Sequence, residues 1–197
     1  MIITYTHRDG LYVNMTNRCP NHCDFCVRSY GDTLYGNLWL EREPSTEEIL
    51  ADIEKRDLSR FSELVFCGYG EPTERLSDML EICSQIRRFS DIRIRINTNG
   101  QSELINGKDS TPRWNGLFDL VSISLNAADA DTYDHVCHSR YGKDAYPAIL
   151  EFAKNVKPYV GHVVLSVVDT TIPPEDIEKC RAIAEEIGVE LRVREFI

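Results

Sequence analysis

The sequence predicts an α/β protein whose parallel strands form a partial (β/α)6 barrel. Six strand-like segments alternate with helical segments along 197 residues, which is the length of about one domain. This alternation indicates parallel strands joined by right-handed crossovers, in an open doubly wound sheet or in a partial barrel. Four of the six strands alternate polar and apolar residues, whereas strands covered on both faces are apolar throughout. We therefore favour a partial barrel with a polar lumen over a sheet with one bare face.

Each predicted element follows a local signal in the chain. The predicted strands are 11–16, 63–67, 92–97, 120–126, 162–168 and 190–196. The predicted helices are 45–55, 72–89, 129–138, 144–157 and 174–187. Ser45 is a suitable N-cap for the first helix, and Pro72 suits the first turn of the second. Asn99 and Gly100 form a turn signal that ends the third strand.

The polar positions of the alternating strands would line the lumen. They are Tyr12, Asn14 and Thr16, then Arg93, Arg95 and Asn97, then Ser122, Ser124 and Asn126, and finally Arg192 and Arg194. Guanidinium groups suit carboxylates and phosphates, so we expect the four arginines to bind a small anionic substrate. Alternatively, they pair with lumen carboxylates such as Glu71, or they point into solvent.

Composition excludes several classes of protein. The net charge of -10, from 22 basic and 32 acidic residues, argues against bulk binding to nucleic acid or to an anionic membrane. The first ten residues lack the apolar core of a signal peptide, and no run reaches the ~18 apolar residues of a membrane span. The seven cysteines are an odd number in a chain of this size, so we expect reduced thiols and a cytoplasmic protein.

Three of the cysteines form a compact motif after the first predicted strand. Cys19, Cys23 and Cys26 have the spacing C-x3-C-x2-C. Soft thiolates select zinc, copper(I) or an iron–sulfur cluster. A structural zinc site needs a fourth ligand, for which His22 is the nearby candidate, whereas three thiolates leave one iron of a [4Fe–4S] cluster open. The remaining cysteines are expected to be packing residues: Cys67, Cys83, Cys137 and Cys180.

This motif, with the aromatic Phe25 before its third cysteine, resembles the signature of the radical S-adenosylmethionine (SAM) superfamily. The resemblance implies a cluster loop at 17–29, with the three cysteines as ligands of a [4Fe–4S] cluster. Residues 68–72, GYGEP, resemble the GGEP motif of the superfamily, with Tyr69 in place of a glycine. By this likeness Tyr69, Gly70 and Glu71 bind the amino group of SAM.

Two further strand ends extend the resemblance. Residues 97–100, NTNG, are similar to the TNG-type segment of the superfamily, which implies that Asn97 contacts SAM. Ser124 and Asn126 match positions that commonly contact the ribose and carboxylate of SAM. The resemblance covers nearly the whole chain, so it implies one core domain at 1–197 without an auxiliary C-terminal domain.

The resemblance also implies a reaction. Such an enzyme cleaves SAM with one electron from the cluster, and the 5′-deoxyadenosyl radical abstracts hydrogen from a substrate in the lumen. Flavodoxin or ferredoxin would donate the electron, and the substrate would be a small molecule or a protein. The length and the TNRCPNHCDFC and GYGEP segments most resemble the short TatD-nuclease-associated radical SAM proteins. Individual catalytic residues and the reaction itself are not predicted.

Other functions remain open from the sequence. The chain resembles carboxy-deazaguanine synthases in size, although Val27 and Arg28 follow the third cysteine where that subclass has Asp-Thr. Glycyl-radical activases would suit a barrel without a cap, which must be closed by loops, a partner chain or a macromolecular substrate. Segments 27–44 and 101–117 are candidate lids. From another class, the cysteine loop would be structural in a non-enzymatic zinc-binding module.

Overall fold

The computed structural model describes residues 1–29 and 35–195. These residues form one seven-stranded sheet with helices. The strands are β1 (Thr4–His7), β2 (Gly10–Val13), β3 (Glu63–Phe66), β4 (Arg93–Thr98), β5 (Leu120–Ser124), β6 (Val163–Val168) and β7 (Glu190–Arg194). The α-helices are α1 (Thr46–Glu54), α2 (Leu76–Ile86), α3 (Ser102–Asn106), α4 (Ala130–Cys137), α5 (Ala145–Val156) and α6 (Pro174–Ile187).

The strand order confirms the predicted barrel topology. Strands β2 to β7 pair in parallel and follow one another in chain order, without the reversal that defines a doubly wound sheet. Three strands separate β3 from β7 in the sheet, yet Arg194 on β7 is close enough to Cys67 after β3 to act on it electrostatically. This closeness indicates that the sheet is curved. The six predicted strands are thus confirmed as the parallel part of the sheet.

One strand was missing from the prediction. β1 pairs antiparallel with β2 and extends the edge of the sheet, with Tyr5 opposite Tyr12 and His7 opposite Gly10. The turn between them places Arg8 at a φ of 54°, which is a conformation usually left to glycine. The first ten residues therefore belong to the barrel.

The apolar face of the sheet carries the core. Strand residues such as Phe66, Ile96 and Ile123 pack with helix residues such as Ile53 and Ile149 in one buried cluster. Ser45 begins α1 with a capping box. The Ser45 hydroxyl accepts from the Glu48 backbone amide, and the Glu48 carboxylate accepts from the Ser45 backbone amide. The helices therefore cover one face of the sheet and leave the polar face toward the lumen.

The two segments predicted as lids are described to different extents by the structure. Segment 101–117 is not a lid, because Trp114 is fully buried in the core against Phe118 and Phe152. Of segment 27–44, residues 30–34 lie outside the described residues, and Leu38 and Leu40 are buried. None of the helices in the described parts of the chain is long and apolar enough to cross a membrane.

Candidate functional site

The cysteine loop lies beyond β2 and is clasped by the end of α4. The three motif thiols are half-buried and unpaired by disulfides. The backbone amides of His22 and Asp24 donate to the carbonyls of Cys137 and Val136, at 3.0 and 3.1 Å. The amide of Arg140 in turn donates to the carbonyl of Pro20 at 2.9 Å. The loop is therefore held by backbone bonds on both sides of Cys23.

A buried polar network supports the loop from behind. The Asn21 amide donates to the hydroxyl of Tyr133 at 2.9 Å, and Gln101 donates to both of them at 2.9 Å. The Ser139 hydroxyl completes the network by donating to the side-chain oxygen of Gln101 at 2.7 Å. All four side chains are buried, so each bond satisfies a group that would otherwise cost free energy. Sequence analysis missed this network, whose members are far apart in the chain.

The three thiols differ in how readily they ionise. Burial raises the pKa of Cys19 to about 12, and the nearby Glu71 adds to this rise. Burial also raises the pKa of Cys26, whereas a contact with Cys137 and a bond from Asn21 lower the pKa of Cys23. Metal binds the thiolate form, so iron coordination would offset the cost of ionising these buried groups.

The GYGEP loop packs tightly onto the start of the cysteine loop. A Cβ atom at Gly70 would lie 2.3 Å from the carbonyl oxygen of Thr16 and 2.7 Å from that of Arg18, so a side chain has no room. A Cβ at Gly68 would lie 2.1 Å from the Asn14 side-chain oxygen. The Glu71 amide donates to the Arg18 carbonyl at 2.8 Å. The glycines therefore permit the two loops to meet.

The Glu71 carboxylate joins the ends of β3 and β4. Its Oε1 accepts from the amide and hydroxyl of Thr73, at 3.0 and 2.7 Å, and from the Thr98 hydroxyl at 2.7 Å. Its Oε2 accepts from the Asn99 amide at 2.7 Å. Burial raises the pKa of this carboxyl, while the four donors favour its charged form. In the structure Glu71 fixes the geometry of two strand ends.

Two asparagines at neighbouring strand ends have unpaired buried atoms. The Nδ2 of Asn99 and the Oδ1 of Asn126 have no hydrogen-bond partner among the described residues. Asn126 adopts a φ of 56°, and its Nδ2 lies 3.9 Å from the Cys137 sulfur. Unpaired buried polar atoms are rare and indicate a missing ligand or water. Asn126 was predicted from the sequence, whereas Asn99 was missed although it belongs to the NTNG signal.

Comparison with known protein families decides the assignment. A family model for the Radical SAM superfamily matches residues 13–187. The chain belongs to the radical SAM superfamily. Members are enzymes that use a [4Fe–4S] cluster and SAM, so these are the cofactors of the chain.

Individual relatives agree with this family. Molybdenum cofactor biosynthesis protein 1 of Drosophila melanogaster is 28% identical over 131 residues, which are 66% of this chain and 22% of that protein. SuiB of Streptococcus suis bound to precursor peptide SuiA superposes with a TM-score of 0.68 and 16% identity, covering 96% of this chain and 39% of that one. A radical SAM methyltransferase from Sphaerobacter thermophilus has a TM-score of 0.67 and 17% identity, covering 98% and 57%.

The extent of these matches limits what they show. The chain spans 22% of the curated relative, 39% of SuiB and 57% of the methyltransferase. At such low identities, the two structural similarities show the fold alone. The chain therefore shares its fold with the two solved structures and a stretch of 131 residues with the curated relative.

The residues present fit the cofactors of the superfamily. Three half-buried thiols lie on one loop, and the unpaired atoms of Asn99 and Asn126 lie at the neighbouring strand ends. Within residues 1–29 and 35–195, no three His, Cys, Asp or Glu side chains converge closely enough for one metal ion. Such convergence is not required, because each thiolate of a [4Fe–4S] cluster binds a different iron.

The other predicted SAM contacts lie around the same strand ends. Ser124 is half-buried at the end of β5, and Asn97 accepts from Arg95 at 2.8 Å on β4. Tyr69 is 4% exposed and packs edge-on against Trp39, with ring centroids 5.2 Å apart. Phe25 is half-buried against the core. Tyr69 and Phe25 therefore both pack against other apolar side chains of the chain.

The four lumen arginines separate into three groups. Arg93 and Arg192 are exposed, as the solvated alternative predicts. Arg95 is buried and bound to the Glu63 carboxylate at 2.6 and 3.1 Å, so it pairs with an acidic residue, although not with Glu71. Arg194 is half-buried, and its Nε is unpaired among the described residues.

Further lumen groups were missed by sequence analysis. Cys67 is not a core residue but lies half-buried on the lumen face, where Asn97 donates to its sulfur, whereas the other three cysteines expected to pack are buried in the core. From β1, the Tyr5 hydroxyl donates to the Cys67 carbonyl at 3.2 Å. His7 and Tyr35 interact edge to face, with ring centroids 5.1 Å apart. The alternation of β3 was the available signal, since it places Cys67 on the face of Glu63 and Val65.

Proposed function

We propose that this chain is an enzyme that holds a [4Fe–4S] cluster at Cys19, Cys23 and Cys26, cleaves SAM reductively and abstracts hydrogen from a substrate in the lumen. The observation that carries this proposal is the position of the three thiols. They lie on a loop clasped between α4 and the GYGEP turn, at the end of the sheet where the polar strand ends meet. Bound together, the cluster and SAM supply a carbon-centred radical, and the protein supplies position.

The residues of the chain would bind and orient SAM in distinct ways. The unpaired Nδ2 of Asn99 can donate to an acceptor of SAM, and the unpaired Oδ1 of Asn126 can accept from one of its hydroxyl or amino groups. Asn97 and Ser124 offer further polar contacts on the adjacent strands. Backbone groups of Tyr69 and Gly70 would receive the amino group, while the Glu71 carboxylate holds their turn in place. Tyr69 and Phe25 would exclude water from this edge.

The substrate would be a small anionic molecule in the lumen, close to the arginine side chains. A peptide is the second candidate, because the neighbour SuiB was solved with a precursor peptide.

The narrower subgroup we propose is that of the short TatD-nuclease-associated radical SAM proteins, on the likeness of the cysteine and GYGEP segments. The seven free thiols would suit a reducing compartment such as the cytoplasm. A flavodoxin or ferredoxin would supply the electron.

Metal analysis and SAM cleavage test the proposal together. Protein prepared without oxygen and reconstituted with iron and sulfide should bind about four irons per chain. After reduction with dithionite it should convert SAM to 5′-deoxyadenosine and methionine, even without substrate. One zinc with no iron would overturn the proposal in favour of a zinc-binding module. A full complement of iron without any SAM cleavage would also overturn it.

A further inference from the structure

Arg194, the last residue of β7, has a guanidinium group that the described residues satisfy only in part. Its Nε is excluded from solvent and lacks an acceptor among residues 1–29 and 35–195. Burial, with Arg192 and Arg95 nearby, lowers the pKa of its guanidinium, and Cys67 acts in the opposite direction. A shielded guanidinium nitrogen without an acceptor is costly, so the site is incomplete within residues 1–29 and 35–195.

Arg95 shows how the same lumen completes such a site. Its guanidinium binds both oxygens of Glu63, and it also donates to Tyr12 at 2.9 Å and to Asn97 at 2.8 Å. Together these acceptors occupy the guanidinium, and the Glu63 carboxylate neutralises its charge. Arg95 is therefore unavailable to a substrate anion, and Arg93 is exposed to solvent at the start of the same strand. Within the described parts of the chain, Arg194 is the one of the four arginines with a shielded nitrogen that lacks an acceptor.

The position of Arg194 indicates what faces it. It lies on β7 opposite Val168 of β6, and it acts across the lumen on Cys67 beyond β3. Arg192 lies two residues earlier on the same strand face and is exposed. A ligand that enters the lumen along β7 would pass Arg192 and reach Arg194, with the Cys67 thiol on the opposite wall.

We infer that Arg194 binds the oxyanion of the substrate, a carboxylate or a phosphate, through its unpaired Nε and one terminal nitrogen, with Arg192 at the entrance. This inference deepens the proposed function, on which it rests. A planar guanidinium binds such groups through two parallel bonds, and the unpaired Nε supplies one of the two donors. The inference assigns no anion-binding role to Arg95, whose charge Glu63 already balances.

SAM also has a carboxylate, which is the other source of the same chemistry. The predicted SAM contacts lie at the ends of β3, β4 and β5, beside the cluster loop, whereas Arg194 lies on β7, with β6 between it and β5. Because Arg194 lies on a strand that carries none of the predicted SAM contacts, we assign it to the substrate. Under this assignment, SAM and an anion occupy the protein at the same time.

Calorimetric titration with inorganic phosphate tests the inference in the reconstituted full-length protein, without SAM and with saturating SAM. Wild-type protein should bind one phosphate in both states, and Arg194→Gln should weaken this binding by about tenfold or more. Arg194→Lys should fall between them, since it retains the charge but loses the paired donors. Arg88→Gln is the matched control, because Arg88 is exposed on the helix side of the sheet. The Arg88→Gln protein should bind phosphate as tightly as the wild-type protein. The same series with acetate shows whether a carboxylate is also accepted.

Three results would overturn the inference: equal phosphate affinity in wild-type and Arg194→Gln proteins, loss of binding in Arg88→Gln as well, or displacement of phosphate by SAM. Displacement would assign Arg194 to the SAM carboxylate instead. Since phosphate binding needs no turnover, the inference and the proposed function can fail separately. Protein that cleaves SAM but does not bind phosphate at Arg194 refutes the inference alone, and the reverse refutes the proposed function alone.

Discussion

The two sides of the lumen differ in how far their buried polar groups are satisfied. Beside the cluster loop, buried polar groups bond to one another, as the four donors to Glu71 and the Asn21–Gln101–Tyr133 network show, although Asn99 and Asn126 each keep one amide atom unpaired among the described residues. On β7, Arg194 has a shielded Nε donor that finds no acceptor among the described residues. Satisfied groups make a rigid frame, whereas an unsatisfied group marks where a ligand belongs. Substitutions in the frame should therefore reduce stability or cluster content, and substitutions near β7 should change binding.

The largest expected effect is on cluster content. Cys26→Ala should lower bound iron from about four per chain to nearly none, because three thiolates are needed to hold the cluster. Cys83→Ala is the control, since Cys83 is buried in the core and should leave the iron content unchanged. Iron and sulfide analysis after anaerobic reconstitution measures both. A cluster retained by Cys26→Ala would remove this loop from the site.

The next effect is on the frame at Glu71. Glu71→Gln should lower the free energy of unfolding by about 3 kcal/mol, because it removes a buried charge that four donors surround and turns an amide toward one of them. Urea denaturation of the cluster-free protein measures this change. Glu81→Gln serves as the control, since Glu81 is exposed on α2. Equal stability of the two variants would mean that Glu71 is not part of the frame.

A smaller loss of stability is expected behind the cluster loop. Tyr133→Phe removes the oxygen that accepts from Asn21 and Gln101, so two buried hydrogen bonds are lost while Gln101 keeps its bond to Asn21. We expect a cost of about 1–3 kcal/mol in the free energy of unfolding. Tyr146→Phe should cost less, because the Tyr146 hydroxyl makes a single bond of 3.2 Å to a carbonyl. The order of the two costs, by urea denaturation, decides whether the network matters.

The smallest expected effect is on phosphate affinity, when the charge of Arg95 is no longer balanced. Glu63→Gln removes the negative charge that neutralises Arg95, and the lumen becomes more cationic. Phosphate should then bind about two- to fivefold more tightly. Calorimetry measures this change. Weaker binding in Glu63→Gln would show that Arg95 and Glu63 act as one acceptor site.

The fold was largely predictable from the sequence. The alternation of Arg95 and Asn97 with isoleucines indicated a sheet with one polar face, and the structure confirms six parallel strands in sequence order. The strand β1 was missed because it has four residues and its turn uses Arg8 in a conformation that favours glycine. Trp114 was assigned to a lid segment because a short polar stretch conceals a residue buried by long-range packing.

The candidate site was predictable where its chemistry is local. The spacing of the three cysteines lies within one loop, so the sequence contains it in full. The partner of Arg95 could not be identified in the same way, because Glu63 is 32 residues away and depends on the register of β3 and β4. Likewise, Arg194 stands out only by the absence of a partner in the described structure, which no pattern along the chain reveals.

The most direct test of the central claim is electron paramagnetic resonance of the reduced protein with and without SAM. The account predicts a signal from a one-electron-reduced [4Fe–4S] cluster that changes on addition of SAM, since one iron remains open to a ligand that the protein does not supply. Arg194→Gln should show the same change, because Arg194 lies on β7, away from the strand ends of β3, β4 and β5 that carry the predicted SAM contacts. A cluster signal that SAM leaves unaltered, or no iron signal at all, would contradict the account.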